Sequence, residues 1–362
     1  MKRFFEEFTA GFTAEELRQL VGRDARQAYR VITREQDFSA EPSGRLRRWF
    51  FRARVVFLGL AYKLTPARRV LFGLAILAAV LGLFRFHAVV ESKQISVDFS
   101  PLALIFSVVS LVFLLALELV DRVLVRDELE VARQLQRDLL PSTVPEIAGY
   151  TLAHSYRTAN EIGGDYYDVL TIPDGRVALV IGDASGHGMA AGLLMAIANA
   201  ALKLAVEVDP SPERVALLLN RVLVRTGDTR AFMTLFYGVL EPATGRLSYV
   251  CAGHPFPLLR RSSGEVLELG TGGLPLGIRE KLDVQPHEIS LAPGDLLVLY
   301  SDGLPEAVNA AGDAFGYDAM RALLREPGDV RQVHDRFLRV LNGHVVGEPL
   351  KDDVTLVVVA RT

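Results

Sequence analysis

The chain has 362 residues, enough for more than one domain. Half of it is apolar and its mean hydropathy is positive, which directs attention to membrane spans. A net charge of −3 gives no support for a nucleic-acid partner, and a single cysteine, Cys251, excludes an internal disulfide framework and a cysteine-rich metal site.

Residues 1–69 read as a cytoplasmic, helical N-terminal segment: Thr13 and Glu16 have capping-box spacing, and Leu17, Leu20 and Val21 recur at helical intervals. Residues 70–120 read as a two-helix transmembrane hairpin. Pro101 to Val120 is apolar but for Glu118 and rises about 30 Å as a helix, the thickness of a hydrocarbon core. Val70 to Phe84 is shorter and reaches that length only by continuing to Val90, past Arg85 and His87. Arg45, Arg47, Arg48, Arg52, Arg54, Lys63, Arg68 and Arg69 precede the first span, against Lys93 in the short loop Glu91–Ser100. The positive-inside rule then places both termini in the cytoplasm, in a cytoplasmic membrane. The apolar stretch starts too deep in the chain for a cleavable signal peptide. A buried helical pair of a soluble domain is the competing reading.

Residues 121–144 form a linker. Val123, Leu124, Val131, Leu135 and Leu139 recur near a 3.5–3.6 residue period before Pro141 and Pro145 end the helix. Two readings stand side by side: a signalling helix that makes a homodimer through residues 121–140, and an amphipathic helix packed on its own domain. From residue 145 to 362 the texture changes to short β-type runs broken by glycine: Val177–Ile181, Thr234–Val239, Leu247–Ala252, Asp295–Leu299 and Val354–Val359. Helical stretches lie at Met189–Val206, Pro212–Thr226, Tyr317–Leu324 and Val330–Leu341. This grouping specifies an α+β domain with antiparallel sheets.

The acidic residues sit at strand ends beside glycines. Asp165 lies in Gly163-Gly-Asp-Tyr-Tyr-Asp168, Asp183 in Gly182-Asp-Ala-Ser-Gly-His-Gly188, and Asp302 in Tyr300-Ser-Asp-Gly303. Asp352 and Asp353 precede the last strand. A lone aspartate is more often a turn residue or a cap than a ligand. Several carboxylates converging in one cleft would instead repel one another unless a cation stood between them. Oxygen-only donors favour Mg²⁺ or Mn²⁺ over zinc, and a pair of such ions suits hydrolysis of a phosphate ester.

These motifs, with Ala252-Gly-His-Pro255 and Asp352-Asp-Val-Thr355, occur in the order found in the bacterial SpoIIE/RsbU branch of the metal-dependent (PPM) serine/threonine protein phosphatases. The run Glu128–Pro141 also resembles the helix that precedes the catalytic domain in that branch. The resemblance covers residues 128–361. It implies a four-layer α-β-β-α sandwich of two antiparallel sheets with two Mn²⁺ or Mg²⁺ ions at one edge. Asp183 would bridge both ions and the Ala184 carbonyl would join it. Asp165 would hold one ion largely through waters; Asp302 and Asp352 would hold the other, with Asp353 as the rival to Asp352. A water activated between the ions would hydrolyse phosphoserine or phosphothreonine on a cytoplasmic protein. By analogy that protein is an anti-sigma factor antagonist with a STAS fold, which implies sigma factor regulation and signal transduction.

Other features carry less. His187 and His254, flanked by glycines, read as loop-shaping residues rather than acids. Asp168 reads as a hydrogen-bonding brace, Glu306 as an N-terminal helix charge, and Cys251 as a core side chain. One of Tyr166 and Tyr167 is expected in the core and the other in the cleft. Gly270–Gly277 lacks the Gly-Lys-Ser/Thr ending of a phosphate loop. Eukaryotic members of the wider family that the chain resembles place an arginine near the substrate phosphate, and Arg157, close upstream of Asp165, is weighed for that part. A hydrolase with Ser185 as nucleophile fails because Asp183 stands where the nucleophile elbow needs glycine. A catalytically silent phosphatase-like membrane switch is the alternative function, which the complete aspartate set disfavours.

Overall fold

The computed structural model describes residues 44–84, 87–90, 95–98, 100–141, 143–226 and 231–362, with Tyr29, Ile32 and Thr33 ahead of them. The expected capping box at Thr13 and Glu16, and the loop around Lys93, lie outside the described residues. Two compact units divide at Leu124/Val125.

In the first unit, α1 (Arg45–Lys63) is followed by α2 (Pro66–Gly82), which starts with proline at a position where no N–H is missed. The first expected span does not continue to Val90. Its helix ends at Gly82, and His87–Val90 (β1) pairs antiparallel with Ile95–Asp98 (β2). Glycine stops the helix, and the β-branched residues of the following segment favour a strand. With 17 residues α2 rises about 25 Å, at the lower limit for crossing a bilayer core. Helix α3, Ser100–Leu139, has 40 residues and is long and apolar enough to cross a membrane. It ends where Pro141 and Pro145 were expected to end it.

The second unit carries two five-stranded antiparallel sheets. The first has the order β10-β7-β6-β5-β4, made of β4 (Asp165–Thr171), β5 (Val177–Ala184), β6 (Met233–Glu241), β7 (Arg246–Ala252) and β10 (His287–Ser290). The second has the order β3-β12-β11-β8-β9, made of β3 (Tyr150–Arg157), β8 (Leu258–Arg260), β9 (Val266–Glu268), β11 (Leu296–Tyr300) and β12 (Val354–Arg361). The hairpin expected at Glu241–Arg246 forms between β6 and β7.

One core joins the inner faces of the sheets, with Leu179, Ile181, Phe236, Leu297, Leu299 and Val359 in it. Two helices, α4 (Met189–Val208) and α5 (Pro212–Thr226), cover the first sheet. Helix α4 matches a membrane span in length and composition, but Ala191, Met195, Ala198 and Leu202 are fully buried, which makes it a core helix. Two more, α6 (Tyr317–Arg325) and α7 (Val330–His344), close a second core on the other sheet around Met320, Leu324, Val333 and Phe337. An Asp329–Gln332 capping box starts α7. Helices outside two sheets give the expected α-β-β-α sandwich.

Candidate active site

The antiparallel register places Asp165, the first residue of β4, directly opposite Asp183, near the end of β5. The expected strand Val177–Ile181 runs on to Ala184, because β4 still pairs with it at Asp183 and β6 at Ala184. Asp183 is therefore held inside the sheet, on a more rigid platform than a loop. In the other sheet, Tyr300 pairs with Leu356, so Asp302 leaves β11 beside the point where Asp352 and Asp353 enter β12. The Ser301 N–H donates to the Thr355 carbonyl at 3.1 Å, extending the ladder toward the acids.

One contact stitches the sheets together at this end: the Thr355 hydroxyl donates to Asp165 Oδ2 at 2.5 Å. The two members of the final acidic pair part company. Asp353 accepts the Ala159 N–H at 2.8 Å and the Gly164 N–H at 2.6 Å. It is 4 % exposed and fastens the loop before β4. Asp352 accepts its neighbour's N–H at 2.8 Å and is exposed, near Asp183 and His187.

Glycine is required at one position of this loop. A Cβ on Gly164 would stand 2.7 Å from the Ala184 carbonyl oxygen and 3.0 Å from Asp183 Oδ1. The Ala184 carbonyl and the Asp183 carboxylate thus face the same small space, which only a bare backbone can border.

The electrostatics follow from crowding. Burial first, and then the nearby charge of Asp183, push the Asp165 carboxyl well above the usual range, although the Ser301 and Thr355 hydroxyls pull it back. Asp183 is pushed up to about 8 by burial and then by Asp302, Asp352 and Asp353. Asp302 is pushed up to about 6 by burial, then Asp352 and Glu306; Asp352 is raised chiefly by burial. Asp165 Oδ1 and Asp302 Oδ1 are buried without a hydrogen-bond partner. Buried oxygens of this kind are costly unless something positive satisfies them.

Divalent metal ions fit this donor set, which is all oxygen, acidic and short of partners. Among the described residues no three acidic, histidine or cysteine side chains enclose a single ion by themselves. Hard ions that keep several waters and take one or two carboxylates each suit such a spread arrangement.

Support comes from residues that sequence reasoning left unassigned. Thr234 accepts the Asp183 N–H at 3.2 Å, and its hydroxyl lies 2.8 Å from His254 Nδ1. Burial drives His254 down to about 3, so the ring is neutral and serves as a brace. Gln136, on α3, binds both backbone groups of Gly163: Nε2 donates to the carbonyl at 2.5 Å and Oε1 accepts the N–H at 3.0 Å. Thr355 and Gln136 fall inside motifs visible in the sequence; nothing local marked Thr234.

Several expectations need correction. Glu306 starts no helix: it lies in a turn whose N–H reaches the Asp302 carbonyl, and α6 begins only at Tyr317. Tyr166 and Tyr167 are both buried, the first bonded to Asp168 at 2.9 Å and the second to His154 at 2.9 Å, so neither lines the cleft. The Arg157 guanidinium is held by Asn342 Oδ1 at 2.6 Å, on α7. Asp168 is the brace it was expected to be, bonded to Tyr166 and to the Val169 N–H. Burial pushes the Cys251 thiol up to about 12, in keeping with an inert side chain. A depression of about 890 Å³ between Val144–Leu152 and the start of α7 contains none of these acids. A cavity of about 430 Å³ touches Asp302 and is walled by His254, Phe256, Tyr300 and Tyr317.

Two antiparallel sheets sandwiched by helices, with carboxylates gathered at one end, define the PP2C class of phosphatase fold. The SiaA-PP2C domain of Pseudomonas aeruginosa superimposes with a TM-score of 0.58 at 22% identity, over 67% of this chain and 98% of that domain. The chain belongs to the Stage II sporulation protein E (SpoIIE) family, whose model matches residues 173–362. Among curated relatives, Protein IcfG of Synechocystis is 27% identical over 264 residues, covering 65% of this chain and 42% of that protein. Phosphoserine phosphatase RsbU of Bacillus subtilis is 27% identical over 243 residues, covering 66% of this chain and 71% of RsbU.

Proposed function

We propose that the protein is a metal-dependent phosphatase that hydrolyses phosphoserine or phosphothreonine on a regulatory protein. The observation that carries this reading is the set of crowded, mutually repelling carboxylates with two buried oxygens, on Asp165 and Asp302, left without partners. Asp165, Asp183, the Ala184 carbonyl, Asp302 and Asp352 would hold two Mn²⁺ or Mg²⁺ ions. When bound, such ions supply the positive charge that acidifies a water and screens a phosphoryl group. The engagement of both Asp353 oxygens by backbone N–H groups supports Asp352 as the ligand. The chain's other residues hold the donors still. Thr355 orients Asp165, Asp353 fastens the loop at Gly164, and Thr234 with His254 steadies the backbone of Asp183.

The wider organisation extends the same reading. Residues 1–69 form a cytoplasmic segment, 70–120 a membrane hairpin, 121–144 a linker and 145–362 the phosphatase domain. The apolar stretch of α3 anchors the chain in a cytoplasmic membrane, with the catalytic domain on the cytoplasmic side. The relationship to RsbU supports a role in sigma factor regulation, with a STAS-type anti-sigma antagonist as substrate. Val131 and Leu135, 63 % and 62 % exposed, support pairing of two linker helices.

The test is turnover of a phosphoserine peptide and of a generic phosphate ester by the unit Val125–Thr362 with Mn²⁺. Hydrolysis that stops with chelator, and in Asp183→Asn and Asp302→Asn, is expected. Metal binding without turnover would replace the enzyme by a silent switch; activity that survives chelation would refute the metal-dependent reading.

A further inference from the structure

Helix α1 carries a surface that the phosphatase reading leaves unused. At about 100° per residue, Leu46, Trp49, Phe50, Ala53, Phe57 and Leu60 fall on a single stripe of the helix. The stripe faces outward: Leu46 is 76 %, Trp49 64 % and Phe50 65 % exposed. Arg45, Arg52 and Lys63 border it on one side, Arg47 and Arg54 on the other. The helix contains no acidic residue, and Arg45, Arg47, Arg48 and Arg54 have no carboxylate partner among the described residues.

A different side of α1 already packs on protein. Val55 and Gly59 are buried, and Gly59 lies against Ile32 so closely that a Cβ would not fit. The aromatic stripe is therefore a second face, exposed at Leu46, Trp49 and Phe50. It continues onto α2, where Phe57 stacks on Phe72 with ring centroids 5.4 Å apart and planes 19° from parallel. Val70, Leu74 and Leu77 extend the exposed apolar surface along α2.

We propose that α1 lies in the plane of an anionic bilayer surface. Trp49, Phe50 and Leu46 sink to the boundary between headgroups and acyl chains, and the flanking arginines sit on lipid phosphates. Tryptophan and arginine at that depth each find both apolar and polar surroundings. The charge of Arg45, Arg47, Arg48 and Arg54 is complementary to acidic lipids and meets no carboxylate among the described residues. The linker between α1 and α2 is two residues, Leu64 and Thr65, so α1 is tethered where α2 begins. This inference rests on the membrane reading of α3, and the two fail in different ways.

Trp49 is the sole tryptophan of the chain, so its emission reports on α1 alone. The full chain is reconstituted in nanodiscs of zwitterionic lipid, with and without acidic phosphatidylglycerol, and with acyl chains brominated near the headgroup. The expected result is blue-shifted Trp49 emission, quenched by the brominated lipid and protected from aqueous iodide. Quenching weakens when acidic lipid is withdrawn, and in the R45Q/R47Q/R48Q/R54Q variant. An unchanged helix content of the full chain by circular dichroism shows that the variant is folded. Emission that stays iodide-accessible in chains retained in the disc overturns the α1 proposal and leaves the α3 span standing. Blue-shifted emission without bromine quenching means that protein covers Trp49, and also overturns it. A chain that enters no bilayer, acidic or neutral, overturns both.

Discussion

Replacing Asp183 by asparagine removes the acid at the centre of the repulsion while keeping its shape. In the metal-free domain the Asp183 carboxyl is pushed from 3.8 up to about 8 by burial and by Asp302, Asp352 and Asp353. The folded-state value lies above the unfolded one, so folding at pH 7 takes up a proton. That contribution is harmless below about pH 4 and erodes stability as pH rises toward 8. At pH 7 the penalty spans 7 − 3.8 = 3.2 units, at about 1.36 kcal/mol each, or about 4 kcal/mol as a ceiling. Asparagine does not titrate and can donate to Asp165. For a unit of this size each kcal/mol moves the melting point by about 2–4 °C. In chelator at pH 7, Asp183→Asn is therefore expected to melt higher than wild type by up to roughly 8–16 °C. Circular dichroism melts of Val125–Thr362 at pH 5, 7 and 8.5 read this directly. The gap should widen with pH, and added Mn²⁺ should stabilise the wild type far more than the variant. A variant no more stable than wild type in chelator, or a gap that ignores pH, would refute the crowding argument.

Gly164→Ala places a methyl group 2.7 Å from the Ala184 carbonyl and 3.0 Å from Asp183; overpacking of this kind costs about 1–3 kcal/mol. Both the melting point and Mn²⁺-dependent turnover should fall, and a variant with normal turnover would show that this space is not the site. Gln136→Ala leaves the Gly163 N–H and carbonyl without their buried partner, a loss of about 1–3 kcal/mol. The Mn²⁺ concentration for half-maximal activity should rise, which a metal titration measures; an unchanged titration would show that α3 does not steady the loop. Val131→Glu with Leu135→Glu puts charge on the exposed face of the linker helix. Light scattering on the detergent-solubilised full chain should show a dimer reduced to a monomer, and an unchanged mass would favour the helix packing on its own domain.

The helices α4–α7 and the strands β5, β6, β7, β11 and β12 were legible because glycine and proline punctuate runs of two distinct periods, whereas β3, β4, β8, β9 and β10 were not read from the sequence. Asp165, Asp183, Asp302 and Asp352 stood out because each adjoins a strand and a glycine or a second acid, and the fold gathers them at one end. Three things were illegible, each for a physical reason. Register is a tertiary property, so the pairing of Asp165 with Asp183 and the continuation of β5 to Ala184 could not be read from either segment alone. The braces Thr234, His254 and Gln136 act across 51, 20 and 27 residues of chain, beyond any local pattern. The first span was overextended because apolar β-branched residues after Gly82 satisfy a hydropathy window as well as a strand.

Titration of the metal-free unit Val125–Thr362 with Mn²⁺, followed by electron paramagnetic resonance and calorimetry, bears most directly on the carboxylate cluster. Two coupled sites per chain are expected, with both weakened in Asp183→Asn and one retained in Asp302→Asn. A wild-type domain that binds no Mn²⁺ at millimolar concentration, or binds it equally well without Asp183, would contradict the account.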